Sequence, residues 1–133
     1  MNIVILSRNA SLYSTQSIVD AARRRNHYVR VIDHMACDLV IELGKSKVLF
    51  NNQPIEKTDA VIPRIGSTAT IYGAAVIRQF ESQGIFSTLH AEPLLKARDK
   101  LSCLQILGSQ GIGVPKTVYV SNPLTMSYLL DDM

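Results

Sequence analysis

Arg64 stands in "AVIPRIGST", where an apolar run of strand formers ends in a proline, a permanent cation and, two residues on, a glycine. A guanidinium can bind both oxygens of a carboxylate at once, so an arginine at a strand end is suited to gripping an anion. Pro63 fixes the backbone before it, and Gly66 permits a turn that other residues resist. Ser67 and Thr68 then open a helix in this reading, and its first amides would add donors for the same anion. The first apolar run ends similarly, in "NIVILSRNAS", which sets Ser7, Arg8 and Asn9 at the close of another strand. A parallel sheet would gather both ends at one edge. The competing reading of Arg64 is a surface ion pair that only orients its loop.

The other chemistry-bearing residues read more plainly. Lys100, in "ARDK", is by itself an exposed lysine at a helix start, with Asp99 as the cap and Arg98 in an ion pair. His27, His34 and His90 share no metal-ligand spacing and no acidic cluster, so they read as satisfied or surface histidines. Cys37 and Cys103 are isolated, without CxxC spacing, and read as reduced, buried thiols of a cytoplasmic protein. Neither GxGxxG nor GxxxxGK[ST] occurs, and "GSQGIGVP" follows a helix, where glycines act as a terminator. The triplet Arg23-Arg24-Arg25 falls at a helix end, where cations are favourable, and no aromatics interleave with it. A nucleic-acid partner is therefore not expected. Tyr72 and Gly73 read as helix packing, and Arg78 and Glu81 as a solvated helix face.

The elements that position these residues alternate along 133 residues, of which 47% are hydrophobic and 19% charged, with a net charge of +3. Such a chain builds one compact core, not two full domains. No apolar run spans a membrane, and the N-terminus has no signal-peptide pattern. Strands are expected at 3–6, 28–33, 60–63 and 85–89, in one mainly parallel sheet with helices on both faces. A helix capped by Ser14 or Ser17 joins the first two, and another runs from about residue 68 to 83. Residues 39–50 read as a small antiparallel hairpin inserted at the sheet edge. From residue 91 the pattern is helical, with Leu94, Leu95, Leu101, Leu104 and Leu107 expected to be buried. A strand at 116–120 and a helix capped by Asn122 follow, as though the chain were the front of something longer.

Four stretches, "MNIVILSRNASLYS", "DAVIPRIGSTATIYGAAVIRQFE", "ARDKLSCLQIL" and "GIGVPKT", together resemble the N-terminal portion of the RimK-type glutamate ligases of the ATP-grasp superfamily. The resemblance covers nearly the whole chain apart from residues 38–55. It implies an α/β pre-ATP-grasp domain over residues 1–95, then a linking helix and the first elements of an ATP-grasp domain over 96–133. It implies an enzyme that uses ATP and Mg2+ to convert a carboxylate to an acyl phosphate. L-glutamate would then be joined to the C-terminal carboxylate of a protein or peptide. A cytoplasmic setting and a homo-oligomer are compatible with it. On this basis Arg64, Ser7 and Arg8 become candidate substrate-binding residues, and Lys100 a candidate for the nucleotide phosphates. No catalytic residue or metal ligand is expected within the 133 residues, and tight ATP binding by these residues alone is not expected. The alternative is a non-enzymatic α/β module that binds an anion or a partner through the Arg64 edge. A flavodoxin-like nucleotide domain is disfavoured because "LSRNAS", not a glycine-rich loop, follows the first strand.

Overall fold

A computed structural model describes residues 1–122. Four strands, β1 (Asn2–Leu6), β2 (Tyr28–Ile32), β6 (Ala60–Pro63) and β7 (Phe86–Ser87), form one parallel sheet in the order β2-β1-β6-β7. The central strand has no polar face. Ile3 and Ile5 pack with Val19 and Ala22 of helix α1 (Tyr13–Arg23). Val4 and Leu6 pack on the other side with Val76, Ile77 and Phe80 of helix α2 (Thr70–Ser82). Strand residues alternate between faces, so a strand covered on both sides must be apolar throughout. Val4, Ile5 and Leu6 are at most 1% exposed, and burial of each contributes about 1.5–3 kcal/mol.

Residues 37–54 depart from the expected edge insertion. They form a separate antiparallel sheet of β3 (Cys37–Val40), β4 (Lys47–Phe50) and β5 (Gln53–Pro54). Asn51 and Asn52 both adopt positive φ, 52° and 60°, the combination that a two-residue hairpin turn requires. The small sheet stands apart because its apolar residues face α2. Cys37 and Val48 join the α2 core, with Ile55 just beyond β5. The buried Gln79 donates from Nε2 to the carbonyls of Val40 at 2.8 Å and Lys47 at 3.3 Å. Tyr72 donates its hydroxyl to the Cys37 carbonyl at 2.6 Å. Helix α2 thus lies between two sheets.

Helix starts also differ from expectation. Leu12 occupies the cap position of α1, with no side-chain cap. Ser17 lies a turn inside and donates to the Tyr13 carbonyl at 2.9 Å, while Ser14 serves Arg64 instead. A single 3-10 turn, Ser67–Ala69, precedes α2, and Gly84 (φ 73°) follows it. Helix α3 (Ala91–Arg98) is tied to α2 by residues expected to be merely solvated. Arg78 pairs with Glu92 at 2.9 Å, and Glu81 meets His90 Nδ1 at 2.6 Å and accepts from the Ala91 amide at 3.3 Å.

The chain divides into two compact units, Met1–Leu95 and a second from Lys96 onward. In the second, Asp99 caps helix α4 (Lys100–Ser109) by accepting from the Ser102 amide at 3.0 Å, as its sequence position implies. Among the five leucines expected in the core, Leu94 is buried and Leu95 packs partly against it, whereas α4 buries none of its residues. Leu101, Leu104 and Leu107 remain half-exposed because no described element of their unit covers them. No strand forms at 116–120, since a strand exists only by pairing and no partner strand lies among the described residues of that unit. The helix expected after Asn122 lies outside the described residues. No helix among those described is long and apolar enough to cross a membrane.

Two buried polar groups stand out. Burial pushes the Cys37 thiol up to about 11, with Asp33 and Asp38 adding to the effect, so this cysteine is an inert core residue. Cys103 is free but half-exposed, which corrects the expectation that both thiols are buried. His34 is fully buried, and neither ring nitrogen has a partner among the described residues, contrary to a satisfied or surface histidine. Burial lowers its pKa, Asp33 opposes that shift, and Arg8 reinforces it.

Two measurements check this packing. A Cβ at Gly73 would stand 2.5 Å from Ile65 Cγ2, closer than any real contact. Gly73→Ala is therefore expected to destabilise by about 1–3 kcal/mol in denaturant unfolding, despite the gain of up to about 1 kcal/mol from helix propensity. His34 resists protonation in the native state, so below its ordinary value of 6.5 the unfolded chain binds a proton that the native chain refuses. Its contribution to stability is whole above pH 6.5 and is lost as the pH falls toward the lowered native value. His34→Leu should flatten that part of the stability–pH curve, by at most about 1.4 kcal/mol per pH unit. An unchanged slope between pH 6.5 and 5 would contradict the assignment.

Candidate functional site

The parallel ladder aligns three strand ends. Leu6 lies opposite Ile32 on one side and Pro63 on the other. The next residues of the three strands, Ser7, Asp33 and Arg64, therefore emerge at one edge. The backbone continues the ladder one step further, with Ser7 N–H donating to the Ile32 carbonyl at 2.9 Å and Arg64 N–H to that of Leu6 at 2.8 Å. The connection from β1 to β2 carries α1 on one face, and that from β6 to β7 carries α2 on the other. The crossovers diverge between β1 and β6, which opens the crevice where parallel α/β sheets bind ligands.

That crevice is an open cleft of about 420 Å3 lined by Ser7, Arg8, Asn9, Leu12, Asp33, Arg64 and Gly66. Arg64 Nη2 donates to Ser14 Oγ at 2.7 Å, and Arg8 Nη1 to Thr68 Oγ1 at 3.2 Å. Both partners are neutral hydroxyls, and neither guanidinium has a carboxylate within 4.0 Å among the described residues. Each guanidinium carries five N–H donors and a fixed charge, so both keep donors for a ligand. Among the described residues Arg64 therefore orients through a hydroxyl rather than through an ion pair.

The hydroxyl of Ser7 plays a different part. Ser7 is 4% exposed, and its oxygen donates to the Asn9 carbonyl at 3.0 Å and bonds Thr15 Oγ1 at 3.1 Å. It anchors the turn that carries Arg8 to α1. Asn9 Oδ1 is likewise engaged, accepting from the Ser11 amide at 2.9 Å and its hydroxyl at 2.7 Å. Lys100, the fourth candidate, begins α4 in the second unit and is exposed there.

Asp33 is the cleft residue that the sequence reading passed over, as the last position of a strand. Its Oδ1 accepts from the Met35 amide at 2.9 Å and caps the 3-10 turn His34–Ala36. The signal was present: an aspartate immediately after an apolar strand is a usual cap, and the register puts it level with Ser7 and Arg64. Among the described residues, no group of three His, Cys, Asp or Glu side chains is arranged to hold a metal ion.

The sequence profile of the RimK PreATP-grasp domain matches residues 1–94. A probable alpha-L-glutamate ligase of Vibrio cholerae serotype O1 is 44% identical over 98% of the chain, which spans 44% of that relative's length. Among solved structures, the RimK domain ATP-grasp protein of Sphaerobacter thermophilus superposes with a TM-score of 0.73 at 15% identity, over 100% of this chain and 47% of that one. The ATP-grasp ligase PsnB, solved with a phosphomimetic precursor variant, Mg and ADP, gives 0.69 at 16% identity, over 98% and 51%. Strand order, helix placement and the profile match agree, and the chain belongs to the RimK PreATP-grasp family.

Proposed function

We propose that this chain is the front of an ATP-dependent ligase that adds L-glutamate to the C-terminal carboxylate of a protein or peptide, and that the cleft binds a substrate carboxylate. The observation that carries the reading is the pair of guanidiniums, Arg8 and Arg64, without a carboxylate partner among the described residues, at the carboxyl edge of the sheet. The resemblance to probable alpha-L-glutamate ligases supplies the reaction class. Residues 1–95 are then the substrate-side domain, and residues from 96 lead into the part that holds nucleotide. Lys100 is proposed to face the nucleotide phosphates, where an ammonium offsets developing charge.

In such a reaction the γ-phosphoryl group of ATP passes to a carboxylate oxygen and ADP leaves. The glutamate amine attacks the acyl carbon, the bond to the phosphate oxygen breaks, and phosphate departs as the amine loses a proton. Among the described residues no group of three His, Cys, Asp or Glu side chains is arranged to hold a metal ion, and Lys100 is the one residue to which a contact with the nucleotide is assigned. Arg8 and Arg64 bind and orient. Ser7 and Ser14 hold them in place through Asn9, Thr15 and a direct bond to Arg64.

The test uses a full-length protein carrying this segment. Arg64→Ala is expected to lower kcat/KM at least tenfold, about 1.4 kcal/mol, with an unchanged unfolding midpoint. Arg64→Lys should recover little, because a point charge lacks the two-oxygen grip. Parallel loss of stability and activity would reduce Arg64 to a structural residue. Full activity in Arg64→Ala would favour an anion-binding module without catalytic involvement of the cleft.

A further inference from the structure

The cleft carries two positive groups and one negative one, and the negative one narrows what fits. Arg8 and Arg64 contribute +2 and the Asp33 carboxylate −1, a formal balance of +1 from the charged residues that line it. Asp33 is held rigidly, since Oδ1 caps the turn through the Met35 amide. It has no cationic partner within 4.0 Å among the described residues, so its second oxygen remains available to a donor. His34, the next residue in the chain, is fully buried; its pKa is lowered by burial, an effect that Asp33 opposes and Arg8 reinforces.

We propose that Asp33 is a specificity-determining residue that makes the cleft select a free acidic α-amino acid, with its ammonium on Asp33 and its carboxylates on Arg8 and Arg64. The proposal rests on the functional reading above and sharpens it. An acidic α-amino acid offers two carboxylates and one ammonium, a formal charge of −1 opposite the cleft's +1. The carboxylate of a polypeptide C-terminus brings no ammonium, since its nitrogen is in a peptide bond. A phosphate group brings more negative charge still. Either would set an anion against Asp33, and a like charge placed in a site rejects ligands as effectively as an attractive one selects them. Asp33 follows β2 and Arg64 follows β6, on either side of β1, which would also fix which way the amino acid lies.

Asp33→Asn separates charge from structure. The amide keeps an acceptor oxygen for the Met35 amide and loses the negative charge. In the full-length protein, L-glutamate is compared with glutarate, which has both carboxylates and no amine. The unsubstituted protein should bind L-glutamate at least tenfold more tightly than glutarate in competition, a ratio that needs no variant. Asp33→Asn should raise KM for L-glutamate at least tenfold, leave KM for ATP within twofold, and bind glutarate as well as or better than before. Equal binding of the two ligands by the unsubstituted protein, or equal weakening of both by Asp33→Asn, overturns the proposal. If Arg64→Ala weakens both ligands while Asp33→Asn fails to discriminate them, only the role of Asp33 falls. If Arg64→Ala weakens neither, the carboxylate reading of the cleft falls with it.

Discussion

Everything at the candidate site depends on the register of β1 with its two neighbours. Leu6 lies level with Ile32 and Pro63, so one step further the three strands deliver Ser7, Asp33 and Arg64 together. A slip by one residue would turn every side chain to the opposite face. Ile3 and Ile5 would then meet the α2 side and Val4 and Leu6 the α1 side, two surfaces built for the other set. The burial of β1 on both faces therefore does more than stabilise the sheet. It fixes the longitudinal position of three charged or polar groups that are far apart in sequence.

The edge is rigid because each strand end is tied again after the ladder stops. The Ser7 hydroxyl fastens the Arg8 turn to Thr15 on α1, and Ser14 on the same helix receives Arg64. Thr68, in the turn before α2, receives Arg8. Gly73 allows Ile65 to pack directly on α2, which holds the loop after Arg64 down. Neutral hydroxyls orient both guanidiniums without cancelling their charge. A carboxylate in the same positions would orient them equally well and close the site to anions.

The parallel sheet was legible because short, continuously apolar runs alternate with helical spacing, and because Pro63 and Gly66 punctuate a strand end. The gathering of Arg64, Arg8 and Ser7 at one sheet edge was legible for the same reason: strand ends in a parallel sheet converge. Asp33 escaped because local sequence makes it the tail of "YVRVID", and only the register shows that it stands level with Arg64. The small antiparallel element was legible, but its separation from the main sheet escaped, because its turns and strands look the same whether it extends the main sheet or packs on α2; Gln79 and Tyr72, which decide the matter, are about 40 residues away in sequence. His34 was misjudged since burial without a partner leaves no mark in the neighbouring residues. The leucines of α4 have the spacing of a buried face, but burial needs a covering surface, and spacing does not supply one.

A family match places this chain in the RimK PreATP-grasp family, while the chemistry proposed for its cleft rests on Arg8, Arg64 and Asp33 alone. The most direct measurement is a crystal structure of the full-length protein with L-glutamate and a non-hydrolysable ATP analogue. The expected result is a glutamate carboxylate within hydrogen-bond distance of Arg64, with Arg64 still donating to Ser14. Glutamate bound outside the cleft, with Arg8 and Arg64 touching only protein and solvent, would contradict the central claim.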